Sequence, residues 1–158
     1  MRIEKLFKFY SDVLVVQFPN IKVYDLHLAS NYDLIVFARK NKNTKRKIFL
    51  EIINGLLKIC DEIEKEILPR TIKIRAVTFF LNRRTFERLG FKNIQISPHF
   101  ALLYLFDYAG IVITNYFITK KFSFINIFKT TRATMQGSHL IENKNILLKL
   151  AADLENKV

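Results

Sequence analysis

The sequence predicts a mixed α/β (α+β) fold: a central mixed β-sheet flanked by helices, with an extra helical part at the C-terminal end. Three observations predict it. A 22-residue stretch, 46–67, repeats apolar side chains at helical spacing. Short runs of β-branched and aromatic residues stand on either side of it, at 21–29, 33–39, 71–77 and 91–96. Finally, half of the 158 residues are hydrophobic, 15 of them Phe. A chain of that size buries a core without a disulfide or metal, so one domain spanning 1–158 is expected.

In chain order, Leu6, Phe7, Tyr10, Val13, Leu14 and Phe18 follow the spacing of an amphipathic helix over 3–17, closed by Pro19. "IKVYDLHLA" (21–29) and "DLIVFAR" (33–39) read as two strands of a hairpin turning at "SNY". The long helix carries Phe49, Ile52, Ile53, Leu56, Cys60, Ile63 and Ile67 on its apolar side. Glu51, Lys58, Asp61, Glu62 and Lys65 fall on the other, and Pro69 ends it. "TIKIRAV" (71–77) is a strand, followed by a short helix over 79–89 that stops at Gly90, the residue type best suited to a left-handed turn after a helix. "FKNIQI" (91–96) is the next strand. Ser97-Pro98 suits a helix opening.

The run after it, 98–119, approaches membrane-spanning length. However, Tyr104, Asp107, Tyr108, Gly110, Thr114 and Asn115 gather on one side of a helical wheel, and an Asp at bilayer depth is costly, which argues against a membrane span. A buried helix, a dimer-forming helix and a hairpin turning at 107–110 are all compatible with the pattern. The last helix covers 141–157, with Ile146, Leu147, Leu150 and Leu154 on its apolar face.

Chemistry-bearing residues are sparse. His27, His99 and His139 are far apart, with no partner at ligand spacing, so no metal site is expected. The single Cys60 excludes an internal disulfide, and residues 1–16 lack a signal-peptide pattern, so a cytoplasmic setting is expected. A net charge of +12 invites a nucleic-acid or anionic-membrane reading. Lys, Ile and Asn are abundant along the whole chain, as an AT-rich coding sequence produces. The most basic stretch, 39–47, has six cations and no aromatic platform for bases, which argues against nucleic acid as the main partner.

The order of a hairpin, a basic loop, a long helix, a strand and a short helix, followed by "FERLGFKNIQI" (86–96), resembles the GNAT superfamily of N-acetyltransferases over residues 21–97. Residues 98–158 form an extension beyond that resemblance. The resemblance implies an acyl-CoA-dependent N-acyltransferase that uses acetyl-CoA or another acyl-CoA and a small-molecule or protein amine as acceptor. In that superfamily a glycine-rich Q/R-x-x-G-x-G/A loop holds the CoA pyrophosphate at the helix N-terminus, where free N–H groups and the helix dipole attract anions. Here Lys40 stands at the Q/R position, and Asn43 and Lys45 stand at the two small-residue positions. Lys40, Lys42, Asn43, Thr44, Lys45 and Arg46 are therefore the candidate cofactor-binding residues, with cations replacing a shaped glycine nest. Phe86 occupies the place of the tyrosine that acts as general acid, and Phe79 the place of an asparagine; the nearby Asn82 is out of register with it. Asp25, His27 and Asp33 are local candidates for a general base, none of them assigned as catalytic. The alternative function is a catalytically inactive binding or interaction module on the same fold, and the second alternative is a basic nucleic-acid-associated protein. A homodimer is compatible with the C-terminal part.

Overall fold

The structure, a computed structural model, describes residues 7–17, 19, 22–78, 81–96, 98 and 101–156. Leu6, Phe18, Phe79, Ser97 and His99 lie outside the described residues. A six-stranded mixed sheet is built from β1 (Phe7–Phe9), β2 (Leu14–Gln17), β3 (Val23–Leu28), β4 (Lys73–Thr78), β5 (Lys92–Ile96) and β6 (Thr131–Gln136), in the spatial order β1-β2-β3-β4-β6-β5. Among the described residues only the β3–β4 pair is parallel.

The N-terminal segment corrects the helix expected over 3–17: it is a hairpin. Ser11 and Asp12 make the turn, where Ser11 Oγ accepts from Leu14 N–H at 3.1 Å and Tyr10 N–H donates to Leu14 C=O at 2.9 Å. The run Val13, Val15, Val16 stiffens extended backbone. The helical spacing arose because this strand is apolar on both faces: Leu14 and Val16 point to one side and Val15 to the other, all of them buried.

Residues 33–39, expected as a strand, are helical. Helix α1 (Asn31–Lys40) is opened by Ser30, whose Oγ accepts from Asp33 N–H at 3.2 Å and donates to the Asp33 carboxylate at 2.6 Å. That reciprocal cap, Asp33 in the first turn and Arg39 and Lys40 in the last outweigh the β-branched content between them. Leu34 and Ala38, one turn apart, supply its buried side.

Helix α2 (Thr44–Glu64) is the long helix the pattern predicts. Ile52, Ile53, Leu56, Cys60 and Ile63 are buried on it, together with Ile48 and Ile59. Ile67 lies beyond its end and is exposed. Against this helix pack Leu14, Val16, Tyr24, Leu26, Ile74, Ala76, Ala133 and Met135, the residues on one face of the sheet. The end of α2 is tied to the first hairpin through Glu62, which accepts from Lys8 Nζ and Tyr10 Oη, each at 2.7 Å; Tyr24 Oη lies 3.2 Å from Tyr10 Oη.

The "FERLGFKNIQI" stretch folds as read. Helix α3 (Arg83–Arg88) ends at Gly90, whose φ of +85° is the left-handed conformation expected there, and Phe91 N–H returns to Phe86 C=O at 3.0 Å. Strand β5 follows. Within the stretch 98–119 the described residues 101–119 form two helices rather than a hairpin, α4 (Ala101–Leu105) and α5 (Tyr108–Thr119), broken at Phe106 and Asp107. After a short 3₁₀ turn at Ile127–Lys129, β6 enters between β4 and β5. Helices α6 (Gly137–Glu142) and α7 (Lys144–Glu155) close the chain on α2. On α7 the buried residues are Leu147 and Ala151, while Ile146, expected inside, is exposed. Lys144 Nζ bridges Asp61 and Glu64 of α2 at 2.9 and 2.6 Å. Among the described residues no helix is long and apolar enough to cross a membrane.

Candidate functional site

Parallel neighbours require a crossover, and α1 and α2 provide it between β3 and β4. The ladder starts with Lys73 N–H donating to Lys22 C=O at 2.9 Å and ends at the pair Leu26–Ala76, although β3 runs on to Leu28 and β4 to Thr78. Continued regularly, it would next join Leu28 N–H to Val77 C=O. Instead, the Tyr104 phenol donates to Val77 C=O at 3.3 Å. The two strands thus part at their carboxyl ends, the place where open α/β sheets bind ligands.

A cavity of about 200 Å³ occupies this cleft. His27 and Thr78 from the strand ends, Asn31 at the start of α1, Tyr104 and Asp107 at the α4–α5 joint and Asn115 on α5 all reach its wall. The Asn31 amide donates to the Asp107 carboxylate, and Thr114 Oγ1 donates to Asn31 Oδ1 at 3.1 Å. Asn115 Nδ2 donates to Ser123 Oγ at 3.0 Å. Burial raises the Tyr104 pKa above the ordinary phenol value, so it keeps its proton at neutral pH. Partial burial lowers the His27 pKa below 6.5; Asp25 opposes that shift and Arg75 adds to it. The wall of one cavity thus includes an imidazole biased toward its neutral form, still reached by solvent, and a protonated phenol.

The basic loop lies at the other end of α1. Since 31–40 is a helix, residues 41–43 join two helices rather than a strand to a helix, and α1, about 15 Å long, separates them from the cleft. Asn43 adopts the left-handed conformation, φ +55°, that it tolerates better than most residues, while Lys45 lies inside α2 and needs no special backbone. Thr44 is buried, its hydroxyl donating to Asn41 C=O at 3.0 Å. Asn43 gives α2 no side-chain cap, and the first turn holds no acidic residue. Arg39, Lys40, Lys42, Lys45, Arg46 and Lys120 line an open basin over this helix start. Two of these, Arg39 and Lys40, also suit the C-terminal end of α1.

The other residues singled out in the sequence have structural employment. Asp25 accepts from Arg75 in a two-pronged pair, one arm at 2.6 Å, and Asp33 belongs to the α1 cap. Asn82 Oδ1 caps α3 by accepting from Thr85 N–H at 3.0 Å. Phe86 is sealed in the core, edge-on to Phe91 at 5.1 Å. Of the three local base candidates, only His27 faces the cleft. Sequence reasoning missed Asn31, and saw Tyr104, Asp107, Thr114 and Asn115 only as a polar stripe that spoke against lipid. That stripe was the available signal for the site, because polar groups aligned on an otherwise apolar helix need a polar space to face.

No family model, curated protein or solved structure matches this chain.

Proposed function

We propose that the chain binds a thioester of the acyl-CoA type and transfers its acyl group to an amine in the cleft between the ends of β3 and β4. The observation that carries this reading is the parting of those strands after Leu26–Ala76 over a cavity holding both a proton acceptor and a proton donor. A cavity of about 200 Å³ is too small for a whole nucleotide ligand but suits the reacting end of a long one. The pantetheine arm would follow the α1–α5 wall, and the pyrophosphate would sit on the basin at Lys40, Lys42, Asn43, Thr44, Lys45 and Arg46, where an anion meets a helix start without an acidic cap.

In this scheme the amine nitrogen attacks the thioester carbonyl carbon, whose oxygen is polarised by the Leu28 N–H at the open strand edge. The carbon–sulfur bond breaks, His27 takes the proton from the amine, and Tyr104 supplies one to the departing thiolate. The acceptor is a small-molecule or protein amine.

A second reading, binding of the thioester without turnover, is favoured by the burial of Phe86: the position where the resemblance expects a phenol is closed to any ligand. Thermal denaturation with acetyl-CoA and release of free CoA thiol in the presence of amines test both. A ligand at ten times its Kd stabilises the native state by about 1.4 kcal/mol. Stabilisation with thiol release supports transfer, stabilisation alone supports the second reading, and no stabilisation at millimolar acetyl-CoA ends both.

A further inference from the structure

The outer side of the cleft wall is a different surface. Tyr104, Asp107, Asn115 and Ile125 turn into the cavity, whereas their neighbours Phe106, Phe122, Phe124 and Phe128 turn away from it and are 98, 69, 76 and 58% exposed. Leu105 and Phe128 border one shallow recess, and Phe122 and Phe124 pack edge-to-face at 5.5 Å. Exposed large apolar side chains are thus concentrated in the stretch from Leu102 to Phe128, and a protein in water seldom leaves so many bare. Lys121 and Lys129 lie in the same segment, and from Tyr108 to Ile141 the sequence has no Asp or Glu. The carboxylate that follows Phe106 in sequence, Asp107, is turned to Asn31.

We propose that this face docks the protein peripherally on an anionic bilayer, with the Phe rings entering the acyl-chain boundary and the lysines meeting the headgroups. The inference is independent of the acyl-transfer reading.

Three features favour a bilayer over other occupants. A second copy would bring the acid-free stretch 108–141, with its lysines, against itself, in a chain of net charge +12. Rings that stand clear of the surface, Phe106 above all, would need a matching set of pockets on a protein partner, whereas a fluid interface closes around them. A single-stranded nucleic acid requires flat ring faces for stacking, but the edge-to-face Phe122–Phe124 pair offers no parallel ladder, and the exposed Leu102 and Leu105 bury well in lipid and offer little to a base. Aromatic rings beside lysines are the composition of membrane-interface surfaces.

Flotation of the full chain with phosphatidylcholine vesicles, with and without phosphatidylserine, tests the proposal. Co-flotation is expected with the anionic vesicles and little with the neutral ones. The triple variant F106S/F122S/F124S, whose sites are exposed, should lower partitioning at least about tenfold with an unchanged melting curve. Phe106→Ser alone serves if the triple variant melts early. Lys121→Gln and Lys129→Gln should each cost about fivefold. Absence of flotation with anionic vesicles overturns the proposal. So does flotation indifferent to the Phe substitutions, which would reflect diffuse charge alone. A dimer, or a complex with a single-stranded oligonucleotide, that these substitutions dissolve while flotation persists also overturns it.

Discussion

Asn31, in the first turn of α1, donates its amide to the carboxylate of Asp107, 76 positions away at the start of α5, and Gly110 leaves the space in which they meet. A Cβ at Gly110 would collide with Asp107 Oδ1 and come within 2.9 Å of Asn31 Nδ2. Gly110→Ala should therefore separate the pair and loosen the α1–α5 wall. Relief of glycine's helix penalty, about 1 kcal/mol, works in the opposite direction. Overpacking of about 1–3 kcal/mol should prevail, giving a lower denaturation midpoint. A raised midpoint would show that the wall tolerates the methyl group and that the pair is not held closely.

The basin makes a prediction separable from stability. Lys45→Glu with Arg46→Glu places acids at the start of α2, which suits its dipole and works against the loss of the interaction Arg46 makes, so the unliganded protein should still unfold in one cooperative transition. The same double variant should abolish stabilisation by CoA. A CoA shift that survives both substitutions would place the pyrophosphate elsewhere.

Tyr104 and His27 can be told apart kinetically. Tyr104→Phe removes the donor to Val77 C=O and should lower acyl transfer at least about a hundredfold while CoA still stabilises the fold. Equal rates for the two proteins would remove Tyr104 from the chemistry.

His27 also links stability to pH. The folded ring binds its proton less tightly than the unfolded ring, so on acidification the unfolded chain takes up protons first. This contribution to stability is fully present above the ordinary value of 6.5. It falls as pH drops below that value and levels off once the folded ring protonates. Denaturant midpoints across this range should show the decline, and His27→Gln should lack that component. In an NMR titration the His27 midpoint should lie below 6.5, and lower still in Asp25→Asn, which removes the one neighbour that opposes the shift and frees Arg75. A midpoint above 6.5 would contradict the partly buried environment.

Cys60 should be chemically silent. Its thiol is buried, donates to Leu140 C=O at 3.6 Å and has its pKa pushed up to about 12 by burial. Alkylation by iodoacetamide should be negligible in the native state and should appear with global unfolding. Rapid native labelling would mean that α2 and α6 separate readily.

The segments legible in sequence are those where one face is wet and one dry. Helix α2 and β4 were read correctly for that reason; α3, shorter than the helix expected over 79–89, and β5, which has no buried face, were read from "RLGF" and the Gly90 turn instead. The hairpin β1–β2 was taken for a helix because Val15 is buried on the side opposite Leu14 and Val16, which erases alternation. Helix α1 was taken for a strand because Ile35, Val36 and Phe37 outweighed the Ser30–Asp33 cap, a two-residue signal that settles the matter once the backbone is seen. Strand β6, "TRATMQ", escaped altogether. Its buried side is Thr131, Ala133 and Met135, a dry face almost without bulky hydrophobics. The cleft was half visible as a polar stripe on 104–115; Asn31 was hidden by the misread strand.

The position of β6 sets the order in which the molecule can be completed. It is the last strand along the chain yet sits inside the sheet, with β4 on one side and β5 on the other. As the protein emerges from the ribosome, β4 and β5 leave first, each with an unfilled edge, and neither can be satisfied until residues 131–136 follow. A nascent chain halted after β5 would expose two adhesive edges at once. Threading the final strand between them is the slow, long-range event on which the folding rate should depend.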